Sequence, residues 1–439
     1  MPDRSTLTVR RLEGPLDVVA AFRALVTSHA DVFWLDAGTG ATRGWSVLGF
    51  GQRDTGGPGD VRLDGRTDAG GQLPGAEGGP PFRGGWVGWL DYESGASVAG
   101  APAASSEVGP AWLWVQQAVA VDHATGALWA LGDGVGDAWE WVRAASVPGS
   151  EEANVQPTRA TARHDPRTYA GLIERCRDAI RAGTAYQLCL TTRFFVDGTH
   201  DPIETYLRLR SATPSHHGGF VRIGDRSLLS ASPETFLQAR GGEIQTRPIK
   251  GTRPRDADPK TDGLLAAQLR ASAKERAENV MIVDLMRNDL SRVCVPGTIR
   301  VDGLWEIESY PAVHQLVSTV AGRAIEQLTV AQLWDAAFPA GSMTGAPKLS
   351  AMTILHELEG GAPRGVYSGC FGYVGVDGSM DLAMVIRSIL IDGERAVVGA
   401  GGGITWGSEA EAEVDEVATK ARAPLAALGA ALPEPWRRR

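Results

Sequence analysis

Hydrophobic and polar positions alternate differently in the two halves of the chain. Residues 5–50 mix strand and helix periods and end in an apolar run, 45–50, that predicts a strand. Residues 51–81 are crowded with Gly, Asp and Pro and predict a loop. The stretch 82–92 is apolar but studded with glycine, the mark of a strand packed closely inside a sheet. After a Gly/Ala/Ser/Pro-rich loop at 94–110, residues 112–121 and 127–131 predict a hairpin about the turn from His123 to Gly126. The Ser/Pro/Glu/Gln/Thr-rich segment 146–163 reads as a linker. It separates an N-terminal region, 1–150, from a second region, 160–430.

Beyond the linker the periods are cleaner. Asp165 and Pro166 form a helix start, with an N-cap acceptor followed by proline at the first helical position. Apolar residues at 169, 172, 173, 176 and 180 keep helical spacing, and Gly183 suits the C-cap. Residues 186–195 predict a strand. So do 370–376, 382–391 and 396–400, joined by turns at Asp377-Gly378 and Asp392-Gly393. Helices are predicted at 262–292, 330–337, 347–359 and 408–428. The expected class is α/β (α+β): largely antiparallel sheets packed as a sandwich with helices outside.

Charge and cysteine content narrow the function. Lys plus Arg number 43 against 52 Asp plus Glu, a net charge of −9 without a basic stripe, which argues against nucleic-acid binding. The first 14 residues contain no signal-peptide core, and no apolar run of membrane-spanning length occurs. Cys176, Cys189, Cys294 and Cys370 form no CxxC pair, which suits a reducing cytoplasm rather than a disulfide framework or a zinc site.

Only five of the cations are lysine: Lys250, Lys260, Lys274, Lys348 and Lys420. A chain that uses arginine almost throughout keeps lysine where an amine must lose a proton, as a nucleophile or base does. Lys250, between Pro248 and Gly251, is the one singled out, although a surface lysine in a turn is the plain alternative. Glu275 and Glu278, and again Glu413 and Glu416, lie one helical turn apart. Either both pairs are solvated faces, with Glu416 pairing to Lys420, or the faces converge on a hard cation such as Mg²⁺. The glycines from Gly399 to Gly403 and the loop from Gly341 to Lys348 each precede a helix and are anion-binding candidates. Arg387 lies inside an apolar run and needs an anion, either a structural carboxylate or a ligand's. His314 is an acid/base group or a hydrogen-bonded core histidine.

Taken together, these segments resemble the chorismate-utilising enzymes, and among them the aminodeoxychorismate synthase component I group. The resemblance is carried by residues 248–252, 277–289, 310–314 and 338–348, by Arg387, by the glycine run and by Glu413 to Lys420. It runs in unbroken order over 165–428 and is looser from 30 to 130. It implies an anthranilate synthase component I-like fold and a chorismate-binding catalytic domain over 160–430. Glu278 and Glu416 are implied as Mg²⁺ ligands, with Glu275 and Glu413 nearby. Gly251, Thr252, Thr344, Tyr367, Arg387, Gly401, Gly402, Gly403 and Lys420 are implied to hold chorismate. Glu234 is implied as the general acid for the C4 hydroxyl, supported by His314, and Lys348 as added positive charge.

Lys250 then selects the reaction. Anthranilate synthases resemble Pro-Ile-Ala-Gly-Thr at this motif, and ammonia adds at C2. A lysine can attack C2 itself, so that ammonia attacks C4 and a para amine results. Gln187 stands where isochorismate- and salicylate-forming relatives carry a lysine base. The resemblance also implies a separate glutamine amidotransferase subunit that supplies ammonia, because the chain shows no glutaminase nucleophile motif. Residues 33–38 lack the serine of the tryptophan-binding strand of some relatives. The rival expectations are an anthranilate synthase component I and a silent chorismate-binding subunit.

Overall fold

A computed structural model of the chain describes residues 7–64, 79–132, 158–310 and 313–437. Most of the expected linker, part of the 51–81 loop, the end of the C-terminal tail and residues 311 and 312 before His314 lie outside the described residues.

The glycine-studded stretch forms the strand Gly85–Leu90, which pairs antiparallel with Ala111–Asp122 on one side and with Cys370–Gly375 on the other. Val32–Asp36 similarly lies between Trp45–Arg53 and His217–Ile223. Strands from before and after residue 150 therefore share hydrogen-bonded ladders. The predicted hairpin is present, with Ala111–Asp122 paired to Leu128–Gly132. One short parallel pairing joins Ala430–Ala431 to Thr158–Ala162, and the other paired strands of the described residues are antiparallel.

Three apolar clusters give the layers. Phe33, Trp89, Leu113, Val221 and Phe371, all on strands, fill an interior between sheet faces. Outside one face, Tyr169, Ile173 and Cys176 of the helix Pro166–Arg181 and Val417, Ala421 and Leu425 of Ala410–Ala427 pack over Phe194 and Val398. Elsewhere Ile282, Val283 and Met286 of Ala273–Ser291 pack with Leu333 and Ala336 of Val330–Ala337. Each fully buried side chain of this size contributes about 1.5–3 kcal/mol relative to exposure. The sandwich with outer helices is the class expected. No helix among the described residues is long and apolar enough to cross a membrane.

Two predicted elements break where a local residue intervenes. The helix expected over 262–292 is two helices, Pro259–Ala271 and Ala273–Ser291. Between them Ser272 is extended (φ −65°, ψ 111°), and its hydroxyl accepts from the Glu275 N–H at 3.4 Å. This N-cap restarts the helix and places Glu275 in its first turn. The strand expected over 382–391 is likewise two, Met380–Met384 and Ser388–Asp392, interrupted at Arg387 (φ +52°). Arg387 therefore sits at a kink and not in mid-strand.

Candidate active site

A cavity of about 1130 Å³ opens where these elements meet. Lys250 enters it from the strand Ile249–Pro254, whose pairing to Val313–Arg323 slips between Ile249 and Thr252. The slip is a bulge turning on Gly251, at φ +88°; a Cβ there would stand 2.8 Å from Leu269 and 2.9 Å from Glu275. Opposite, the strand Arg395–Ile404 carries the glycine run. A Cβ on Gly403 would lie 2.8 Å from the Gln187 amide nitrogen and 3.5 Å from the Lys250 Nζ. The bare strand thus leaves room for both side chains. These glycines are paired in register with Gln187–Asp197 and stop well short of the helix at Ala410. They serve as a side-chain-free wall, and the expectation of an anion cradle at a helix N-terminus is corrected.

Glu275 and Glu278 reach the cavity from one helix, and Glu413 and Glu416 from another. The two faces do converge. Burial pushes Glu278 and Glu413 upward; Lys250 and Lys274 oppose it at Glu278, while the Ser408 hydroxyl, Lys274 and Lys420 oppose it at Glu413. Neighbouring carboxylates add to the rise at both. Glu416 goes the other way despite its burial, because Lys420 lies 2.7 Å from it. Lys420 also donates to the Gly401 carbonyl at 2.8 Å, and Lys274 stands 3.9 Å from Glu278. The lysines keep the carboxylates balanced, and no three His, Cys, Asp or Glu groups of the described residues are drawn together as a metal cage. Glu275 also faces Arg253 at 3.6 Å, so the four carboxylates are matched by cations, and their hard oxygen donors are of the kind that a divalent cation such as Mg²⁺ takes.

Glu234 lies across from Lys250, buried, where loss of water raises its pKa; Lys250, the Ser342 hydroxyl and Lys420 pull it back down. Tyr367, Arg387, Thr252, Gly401 and Gly402 complete the wall. Arg387 has no ion pair among the described residues, and burial lowers its pKa against the opposing influence of Tyr367 and Glu416. A buried cation of this kind can receive an anionic ligand. Beneath the cavity Arg364 is fully enclosed: it donates to both oxygens of Glu359 (2.8 and 2.6 Å) and to the carbonyls of Met343 and Cys189 (2.7 and 2.9 Å). That network fixes the floor.

Three expected residues fall outside the lining. His314 alternates with the cavity-facing Val313 and Gln315, so its ring points away; it bonds Asp262 and Ser309, both at 2.8 Å. Thr344 is buried and donates to the Ala340 carbonyl at 3.1 Å, while its neighbours Ser342 and Met343 line the cavity. Lys348 pairs with Asp289 at 2.7 Å and binds the Ala337 carbonyl, tying two helices together. The residues that reading the motifs missed are Lys274, Ser342, and the pair Arg364 and Glu359. Lysine scarcity could have flagged Lys274, which directly precedes Glu275. Nothing in the sequence marks Arg364 among the chain's many arginines.

The chain matches the family of chorismate binding enzymes over residues 62–426. It belongs to that family. It is 39% identical over 372 residues to an aminodeoxychorismate synthase of Streptomyces pristinaespiralis, covering 79% of this chain and 51% of that protein. It is 38% identical over 379 residues to anthranilate synthase component 1 of Streptomyces coelicolor, covering 80% of this chain and 73% of the relative. Among solved structures, anthranilate synthase component I from Streptococcus pneumoniae TIGR4 superposes with a TM-score of 0.69 at 26% identity, covering 96% of this chain and 93% of the other. The chain spans about half the length of the Streptomyces aminodeoxychorismate synthases it matches.

Proposed function

We propose that this chain aminates chorismate at C4, giving 4-amino-4-deoxychorismate through a covalent adduct on Lys250, with ammonia supplied by a glutamine amidotransferase. The observation that carries the reading is the placement of the Lys250 amine, with a buried Glu234 across the cavity. Mg²⁺ is the proposed cation, held by Glu278 and Glu416 with Glu275 and Glu413 nearby; when bound it supplies charge for the ring carboxylate of chorismate. Arg387 and Tyr367 orient the substrate's carboxylates, and Gly401, Gly402 and Gly403 leave room for them.

Lys250 sheds its proton and its Nζ lone pair forms a bond to C2. The two conjugated ring double bonds both shift, C1=C2 to C1=C6 and C5=C6 to C4=C5, and the C4–O bond breaks as Glu234 delivers its proton, so water leaves. Burial favours this role because it keeps Glu234 protonated at higher pH than an exposed glutamate. Ammonia then bonds to C4 and gives up a proton, both double bonds return, the C2–N bond breaks, and the lysine regains its amine. Gln187, which cannot act as a base, favours this sequence over direct attack by activated water.

The test is incubation of the purified chain with chorismate, Mg²⁺ and ammonium, with and without aminodeoxychorismate lyase. The expected outcome is p-aminobenzoate only when the lyase is present. Fluorescent anthranilate formed without lyase would overturn the reading in favour of an anthranilate synthase component. A product for p-aminobenzoate and folate synthesis or for related secondary metabolism, and a cytoplasmic location, accord with this reading.

A further inference from the structure

Lys250 follows the last regular rung of its strand. Ile249 pairs with Val317, and the ladder then slips before it resumes at Thr252 and Gln315. The backbone on the near side of this bulge therefore directs the amine. That backbone is the Pro248 peptide, and its carbonyl accepts twice. One donor is the Ser318 N–H at 3.2 Å, the other the Asn279 side-chain nitrogen at 3.4 Å. The Asn279 oxygen accepts in turn from the Ser318 hydroxyl at 2.5 Å, and that hydroxyl accepts from the Trp305 N–H at 3.1 Å. Only the NH₂ end of an amide can meet a carbonyl, so the way Asn279 faces is fixed. Asn279 and Ser318 are each 0% exposed, and removing one member leaves the next without a partner.

Two contacts hold the far end of this relay. Trp305 lies in the left-handed region at φ +59°, where a bulky L residue stays only if its surroundings keep it there. Its N–H is taken by Ser318, and the Arg276 guanidinium stacks 3.7 Å over its ring. Arg276 and Asn279 belong to Ala273–Ser291, the helix that brings Glu275 and Glu278 to the cavity. One stretch of helix thus presents carboxylates to the cavity and also grips the strand of Lys250. Adhesion alone does not require this polar pair. Ile282 and Met286 of the same helix already share an apolar cluster with Val320 of the strand Val313–Arg323. A fully satisfied buried network adds one defined geometry instead.

We propose that Asn279 and Ser318 are positioning residues for Lys250. They lock the Pro248 carbonyl, hold the bulge in one register, and so fix the Lys250 amine relative to the glutamates of the gripping helix. Both sit behind the cavity lining and act through the backbone. The inference rests on the amination reading above, in which Lys250 bonds to C2 while Glu278 holds the cation for the ring carboxylate. Two ends of one substrate are then gauged by a single helix.

The test follows the Lys250–chorismate adduct by intact mass after rapid quenching, with Mg²⁺ present and ammonium left out. The wild-type chain is compared with Asn279→Ala, with Ser318→Cys, which fills the serine's space with a weak hydrogen-bonding group, and with Ser318→Thr, which keeps the hydroxyl. Each is measured well below its melting midpoint over a range of chorismate concentrations. Asn279→Ala is expected to lower the maximal rate of adduct formation about 100-fold and Ser318→Cys at least about tenfold, as a displacement of about 1 Å would. Half-saturating chorismate stays within about threefold of wild type, and Ser318→Thr returns the maximal rate to within about threefold. A maximal rate unchanged in either folded variant would overturn the assignment, however much stability that variant had lost. A half-saturating concentration shifted as far as the rate would also overturn it, by placing the pair in substrate binding. So would a threonine variant as slow as the cysteine one with a wild-type melt. Absence of any adduct on the wild-type chain would instead defeat the amination reading.

Discussion

Gly399→Ala tests whether the glycine wall sets the position of Tyr367. A Cβ at residue 399 would stand 2.1, 2.3 and 2.6 Å from three atoms of the Tyr367 ring. Ordinary contact begins at about 3.4 Å, so the ring must withdraw by about 1.3 Å. The strand is paired to its neighbour at this residue and cannot retreat cheaply, whereas Tyr367 borders open space in the cavity. The ring therefore moves into the substrate's volume. Overpacking of this kind costs about 1–3 kcal/mol, and a misplacement of about 1 Å at a site lowers rate about 100-fold. The paired assays are urea denaturation and steady-state amination with ammonium. The expected variant is folded, destabilised within that range, and reduced about 100-fold in kcat/KM. Lost stability with unchanged kcat/KM would refute the assignment of Tyr367 to substrate placement. No change in either would refute the close approach itself.

Lys250→Ala is expected to abolish the covalent species, read by intact mass spectrometry as the chain plus chorismate less one water; an undiminished adduct would remove Lys250 from the chemistry. Glu234 has a raised folded-state pKa, so the native chain holds a proton that the unfolded chain releases. Its contribution to stability therefore falls as pH rises from the unfolded value through the folded one. Glu234→Gln should accordingly gain stability relative to wild type as pH rises above the ordinary glutamate value, while losing amination, and a difference independent of pH in denaturant titrations would contradict this. Arg364→Met strands Glu359 in the interior and is expected to cost about 3–5 kcal/mol, partly restored by adding Glu359→Gln; a loss under about 1 kcal/mol would show that the floor is not held by this pair. Glu278→Gln combined with Glu416→Gln should weaken Mg²⁺ binding at least about tenfold by calorimetry without substrate, and unaltered binding would move the cation elsewhere.

Local sequence determined what depends on near neighbours. The Asp165 cap accepts from the Thr168 N–H as expected, the hairpin and the two late turns fall in place, and each glutamate pair lies on one helix face. Lys250 was also legible, because an amine in an arginine-rich chain is conspicuous and the flanking Gly251 supplies the bulge that turns it inward. Which faces meet was decided only by the tertiary structure. Lys348 adjoins residues near the site, yet helix packing gives it to Asp289, whereas Lys274 meets Glu278 one turn along its own helix. His314 and Gln315 are neighbours, but strand alternation sends one to Asp262 and the other to the cavity. The glycine run reads equally as loop or strand until its pairing with Gln187–Asp197 makes it a wall. Spacing along a chain specifies a face, and only packing specifies what that face meets.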